Sequence, residues 1–302
     1  MRTKIVVNTT AGRGRAGNVQ PQMQTCLARH RVAADIVYTE APGGAVTLAV
    51  AAAREGYERV VAMGGDGTVT EVANGLLLAA GEGHEAVLGI IPAGSGNDYA
   101  YGVGIPTRLE EACRRLAEGR VRSMDVMRVI ADGQCHFFNN TVGVGFDADV
   151  LLETRKLKRV RGLLLYLVAL LRVLAADGRW PYPVNIALDG QPLPHHAVTL
   201  VSVCNGPRVG GGFYLTPDAK PDDGLFDVIV ADRMGRLRMA SFVMRVMRGT
   251  HVGAKPVSIQ RARHLLVEGQ RGLPAHMDGE VLCTAGRRFE IDILPGRLKV
   301  WC

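Results

Sequence analysis

The segment Val60-Val61-Ala62-Met63-Gly64-Gly65-Asp66-Gly67-Thr68-Val69-Thr70-Glu71 constrains the fold of this chain more than any other. Its apolar start reads as a buried strand, and it runs straight into small, turn-making residues around one carboxylate. A helix is predicted to begin at once, because Thr68 and Glu71 have the spacing of a capping box. Val69, Val72, Ala73, Leu76, Leu77 and Ala80 follow at helical spacing as one apolar stripe. Strand, glycine turn and helix N-terminus in succession make an anion site. Gly64, Gly65 and Gly67 let backbone N–H groups approach a polyphosphate, and the helix dipole favours negative charge there. Asp66 would repel a bare phosphate, so its presence points to a divalent cation or a water held between them.

A second segment repeats the pattern. Val87-Leu88-Gly89-Ile90-Ile91 reads as a buried strand, and Pro92-Ala93-Gly94-Ser95-Gly96-Asn97-Asp98 gathers glycines, a hydroxyl, an amide and a carboxylate at its C-terminal end. Open α/β sheets bind ligands outside those ends, and two such turns can hold one triphosphate. Together, GGDGTVTEVANGL and PAGSGNDYA resemble the diacylglycerol-kinase catalytic family, which includes bacterial lipid kinases and the sphingosine and ceramide kinases. The family shares its GGDGT element with NAD kinases.

The first ~125 residues alternate strands and helices: strands at 4–8, 34–38, 59–63 and 87–91, helices at 18–30, 45–55, 68–80 and 109–118. Pro21 falls in the first turn of the first helix. This alternation predicts a doubly wound, mostly parallel sheet, similar to NAD kinase and phosphofructokinase. From Val126 on, short β-rich runs appear with Asp-Gly turns at 132–133, 189–190, 223–224 and 278–279, interrupted by helices near 150–175 and 236–248. That texture predicts an antiparallel β-sandwich. The resemblance implies the same division: a nucleotide-binding domain over 1–126, joined by a C-terminal return at about 290–302, and a β-rich lipid-substrate domain over 127–289.

The composition narrows the partners. A net charge of +7 suits ATP or an acidic membrane surface. Nucleic acid fits the charge too, but aromatics are only 5% and no zinc-finger, RRM or KH signature is present, which argues against it. Six cysteines without a C-x-x-C pair, and an N-terminal apolar run too short for a signal peptide, suit a reduced, cytoplasmic protein. Gly12-Arg13-Gly14-Arg15-Ala16-Gly17 matches a dinucleotide fingerprint with Asp35 downstream, yet Asn8-Thr9-Thr10-Ala11 separate it from the strand, and the fingerprint needs its turn at the strand's end. The family instead has an Asn-Pro-x-x-Gly loop here. This chain lacks the proline, although Arg13 and Arg15 can reach phosphates. No Walker A sequence is present.

The resemblance implies site residues. ATP is expected at Asn8, Thr10, Gly12, Thr39, Gly64, Gly65, Asp66, Gly67, Thr68, Glu71, Gly94, Ser95 and Asn97. Asp66, Asp98 and Asp125 would form the carboxylate network of a catalytic Mg²⁺, holding it through water. In His276-Met277-Asp278-Gly279-Glu280, Asp278 is expected to be the base that deprotonates the acceptor hydroxyl, with Glu280 positioning it or taking the role itself. A structural Mg²⁺ is expected on the Asp223 carboxylate with the carbonyls of Lys220 and Leu225. His276 reads as a surface or packing residue.

Arg155, Lys156, Lys158, Arg159 and Arg161 precede the apolar run 162–171, which is too short to span a membrane. A basic segment joined to an apolar one has the pattern of an interfacial contact; Arg236–Arg248 has a similar pattern, but with Met239, Phe242, Val243 and Met247 it reads as core. The expectation is an ATP- and Mg²⁺-dependent lipid kinase, peripheral at the inner membrane face, acting first on diacylglycerol to give phosphatidic acid; the resemblance leaves room for a homodimer. The rivals are a soluble-substrate kinase of the NAD-kinase type and a non-catalytic nucleotide-sensing regulator.

Overall fold

A computed structural model describes residues 1–157, 163–176 and 180–302, with the side chains of 13–18, 20 and 163 outside the description. The chain divides into two compact units, Met1–Val126 with Pro295–Cys302, and Met127–Leu294.

The first unit is built of β1 (Thr3–Val7), α1 (Arg15–Arg29), β2 (Asp35–Tyr38), α2 (Gly44–Arg54), β3 (Arg59–Gly64), α3 (Asp66–Gly81), β4 (Val87–Pro92), α4 (Asp98–Gly102) and α5 (Leu109–Glu118). β2, β1, β3 and β4 pair in that order, all parallel. The chain's last strand adds in parallel beside β4 through Val300 and Leu88. Every residue of β3 is buried, because helices cover both faces of the strand. On one face Ile5, Val7, Val61, Met63 and Ile91 pack against Met23, Cys26 and Leu27 of α1 and Cys113 and Leu116 of α5. On the other face α2 and α3 pack on β3 and on each other. Side chains that alternate along a buried strand feed two apolar layers at once.

The helix boundaries differ from expectation at two places. α1 begins at Arg15, after a 3₁₀ turn over Ala11–Gly14, so Pro21 lies inside the helix instead of in its first turn. A proline there costs the helix one N–H donor. α3 begins at Asp66, which puts Gly67 and Thr68 inside the helix. The capping box does not form: its N-cap is Gly65, with no side-chain cap bond. Glu71 turns to a neighbouring helix and accepts the N–H groups of Gly43 and Ala45 at 3.1 Å each, capping α2.

The second unit comprises β5 (Val121–Ala131), which begins in the first unit, β6 (Gln134–Phe138), β7 (Thr141–Gly145), α6 (Phe146–Thr154), α7 (Leu163–Ala175), β8 (Tyr182–Leu188), β9 (Gln191–Pro192), β10 (Ala197–Cys204), β11 (Phe226–Asp232), α8 (Arg236–Met247), β12 (Val257–Ala262), β13 (His264–Met277) and most of β14 (Glu280–Trp301). Strands β12, β11, β10, β7, β13 and β14 are neighbours in that order. The ladders described in this unit are antiparallel. Asp-Gly turns join β5 to β6, β8 to β9 and β13 to β14, with positive φ at both turn residues, as a hairpin matching the strand twist requires. The fourth, Asp223-Gly224, lies in a loop before β11, and only its glycine has a positive φ.

The sheet is not a bare sandwich. Val201, Val203, Val228 and Val230 point into a strand-lined core, while Leu200, Cys204, Ile229 and Ala231 alternate with them and pack under α7 and α8. The single helix expected near 150–175 is two, α6 and α7.

The closest helix contact predicts a cost. A Cβ at Gly75 of α3 would lie 2.5 Å from the Val46 carbonyl oxygen and 2.7 Å from Ala49 Cβ on α2. Gly75→Ala is expected to destabilise the protein by about 1–3 kcal/mol despite its better helix propensity, read as a fall in thermal midpoint.

Candidate active site

The two glycine turns of the first unit meet backbone to backbone. The strands β3 and β4 run side by side, so their C-terminal turns emerge together, and the Ala93 N–H donates to the Gly64 carbonyl at 2.7 Å. A Cβ on Gly65 would lie 3.1 Å from Gly94 Cα, and one on Gly94 would overlap Gly65. A Cβ on Gly64 would strike Thr68. Glycine is therefore required for close approach at all three positions.

Side chains brace this junction. Asn8 follows β1 and donates through Nδ2 to Thr68 Oγ1 at 3.1 Å, while its Oδ1 accepts the N–H (3.1 Å) and hydroxyl (2.8 Å) of Thr10. Asn97, in a left-handed conformation at φ 56°, bonds the Gly94 N–H at 2.9 Å and the Gly94 carbonyl at 3.1 Å. Its amide thus shapes the loop, while Ser95 stays exposed. Asp66 Oδ1 accepts the Tyr99 N–H at 3.1 Å, tying the start of α3 to α4. Asp98 and Asp125 are buried, and Asp125 Oδ1 accepts the Gly296 N–H at 2.7 Å. Thr39 follows β2 and donates its N–H to the Val7 carbonyl, close to the end of β1, and Gly12 has a positive φ in the adjoining turn.

In the second unit the expected base is committed to the backbone. Asp278 Oδ2 accepts the Asn139 N–H at 3.0 Å, and Oδ1 accepts those of Asn140 (3.1 Å) and Thr141 (2.8 Å). The carboxylate ties the β13–β14 turn to the start of β7. Glu280 is 72% exposed and pairs with Arg155 at 2.6 Å. His276 is not a surface residue: it is largely buried, with Nε2 3.3 Å from Asp147 Oδ2, which also accepts the Ser202 hydroxyl at 2.5 Å. Burial opposes the charge on Asp147, but His276 and the Ser202 hydroxyl outweigh it and hold the carboxyl below its ordinary range. A Cβ on Gly143 would overlap both Asp147 and His276, so this glycine makes room for the pair.

The diacylglycerol kinase catalytic domain matches residues 2–129, and the YegS C-terminal NAD kinase beta sandwich-like domain matches residues 140–302. A diacylglycerol kinase of Mycobacterium tuberculosis is 32% identical over 84% of this chain and 79% of its own length. A Xanthomonas euvesicatoria protein described as "probable lipid kinase YegS-like" is 31% identical over 91% of this chain and 88% of its own. The crystal structure of a diacylglycerol kinase from Bacillus anthracis superposes with a TM-score of 0.77 at 26% identity, covering 99% of this chain and 96% of that one. The chain belongs to the diacylglycerol kinase and YegS-like lipid kinase family.

Within this family member, Asp147, Asn139 and Asn140 are polar groups that reasoning from the sequence missed. Their signal was present, a polar Asn-Asn pair and an aspartate inside the apolar stretch Phe137–Ala148. Of the segment Arg155–Arg161, residues 158–161 lie outside the described residues. Among the described residues no helix is long and apolar enough to cross a membrane.

The loop expected to hold a structural cation borders a cavity of about 520 Å³ lined by Pro217, Asp218, Ala219, Lys220, Asp227 and Arg261. Asp223 is paired with Arg261 and accepts the Leu225 N–H at 3.2 Å. Burial pushes the Asp227 carboxyl up to about 6; Arg261 counters this, and Asp223 and Asp218 add to it. The folded chain thus keeps a proton that the unfolded chain loses, and stability falls as pH rises from about 4 through about 6. Asp227→Asn is expected to melt higher than the wild type at pH 8, by a stability difference on the order of 1–3 kcal/mol, and to lose that advantage at pH 4. Thermal melts at the two pH values check it.

Proposed function

We propose that this chain is an ATP- and Mg²⁺-dependent lipid kinase that transfers the γ-phosphate to the hydroxyl of diacylglycerol, giving phosphatidic acid. The observation that carries this reading is the backbone contact between the Gly64–Gly65 and Gly94 turns at the ends of β3 and β4. Two side-chain-free turns held together beside the N-terminus of α3 suit a polyphosphate. The names of the Mycobacterium tuberculosis and Bacillus anthracis relatives favour diacylglycerol as acceptor.

Phosphoryl transfer needs positioning, charge neutralisation and a proton acceptor. The amides of the two turns and of the start of α3 bind and orient the phosphates, with Asn8 and Asn97 holding the loops in shape. Asp66, Asp98 and Asp125 are the residues that would hold the catalytic Mg²⁺. Bound there, Mg²⁺ supplies positive charge to the phosphates. At the second expected site, Asp223 is already neutralised by Arg261, so a cation on it with the Lys220 and Leu225 carbonyls competes with that guanidinium.

The proton acceptor we assign is Glu280 and not Asp278. Three backbone N–H groups occupy the Asp278 carboxylate, whereas the Glu280 carboxylate is open to solvent and held by one arginine. Peripheral membrane association fits α7 and α8, which share one hydrophobic cluster yet expose Leu164, Leu171, Leu237 and Met244, with Arg236 and Arg245 alongside on α8.

The test is Mg²⁺-dependent transfer of labelled phosphate from ATP to a lipid panel in mixed micelles. Diacylglycerol should be labelled. Glu280→Gln should lower kcat about 10²–10⁴-fold with its thermal midpoint unchanged, while Asp278→Ala should lower the midpoint. Label in NAD instead of lipid, or in no acceptor despite ATP binding, sinks the lipid-kinase reading. Full activity in Glu280→Gln sinks only the base assignment.

A further inference from the structure

Three donor side chains that the kinase chemistry does not use converge between α1 and α5, beside a second cysteine. Cys26 and His30 stand four residues apart at the end of α1, and Glu110 and Cys113 three apart on α5, spacings that put each pair on one helical face. The helical turn continues to His30, whose N–H donates to the Cys26 carbonyl at 3.1 Å. Cys26 Sγ lies 3.1 Å from Glu110 Oε2, and His30 Nε2 lies 3.0 Å from Glu110 Oε1. The three ligand atoms are all within 4.8 Å of one another, and Cys113 packs in the same apolar cluster as Cys26.

We propose that Cys26, His30 and Glu110 bind Zn²⁺ and clip α1 to α5, with water as the fourth ligand. A sulfur, an imidazole and a carboxylate form a soft-to-borderline set suited to a tetrahedral Zn²⁺ and unsuited to Mg²⁺. Ordinary Zn–S, Zn–N and Zn–O bonds place tetrahedral ligands about 3.3–3.8 Å apart, so the Cys26–Glu110 and His30–Glu110 spacings need only a few tenths of an ångström of opening. Arg29 lies 2.9 Å from Glu110 Oε2, where it orients the carboxylate. Both cysteines are buried while Glu110 is 52% exposed, so the ion has a dry seat and an entry side. The thiolate is the metal ligand, so uptake displaces the Cys26 thiol proton. The clip spans two helices that share the apolar layer under β1, β3 and β4, so it steadies the face of the sheet opposite α2 and α3. It does not rest on the proposed kinase reading.

The experiment titrates the reduced, metal-stripped full chain with Co²⁺, follows the thiolate charge-transfer and tetrahedral ligand-field absorption, and then competes with Zn²⁺. One Co²⁺ per chain, displaced by one Zn²⁺, is expected, with a melting temperature that rises with Zn²⁺ concentration. Arg29→Gln should weaken binding about ten- to hundredfold, as loss of an outer partner does, and Cys26→Ser should weaken it further. Glu110→Gln changes a surface side chain and should keep the metal-free melting temperature while losing the Zn²⁺-induced rise. Absence of the tetrahedral Co²⁺ spectrum overturns the proposal. So does a spectrum and affinity that survive both Cys26→Ser and Glu110→Gln, or oxidation to a Cys26–Cys113 disulfide in a chain whose reduced form ignores Co²⁺.

Discussion

The contact between Gly65 and Gly94 is the constraint on which the first unit of this protein depends. Two strands hydrogen-bonded along their length deliver their following turns to one place, but the turns can merge only if neither carries a side chain. The bond from the Ala93 N–H to the Gly64 carbonyl extends the β3–β4 ladder one step beyond the sheet. Beyond that step the backbone is free to serve a ligand. The surrounding side chains hold this geometry: Asn97 closes its loop on Gly94, Asn8 reaches Thr68, and Asp66 reaches the Tyr99 amide. Buried strands lie beneath the turns and hold them in place.

The second unit solves a different problem with the same economy of side chains. Its Asp-Gly hairpin turns are rigid, and one is anchored by an aspartate that takes three amides from another segment of chain. A carboxylate used in this way anchors the turn. Glu280, at the start of β14, reaches solvent and Arg155, while His276, near the end of β13, meets Asp147. The reversal of the chain at Asp278-Gly279 separates these surroundings within five residues.

How much was legible follows from range. Strand, glycine turn and helix in immediate succession are local patterns, so the βα units of the first half, the Asp-Gly hairpins and the family were readable from the chain. Thr68 and Glu71 mark the limit. Their spacing suits a capping box, but the helix starts earlier and Glu71 caps α2, because two unsatisfied amides on a neighbouring helix compete for the same carboxylate. Asp278 shows the same limit, since its amide partners lie more than a hundred residues away.

The sequence by itself determined most of the strands and helices, the two glycine turns and the change from parallel to antiparallel texture, and its two glycine motifs carried the resemblance to a lipid kinase family. The first three are encoded in runs of adjacent residues whose backbone preferences and periodicity need no partner. Only the tertiary structure decided that Asp278 takes three distant amides while Glu280 meets Arg155, that His276 meets Asp147 in the interior, and that Cys26, His30 and Glu110 stand together. Those outcomes depend on which distant donors reach an acceptor first, and burial sets that competition because it makes an unpaired polar group costly.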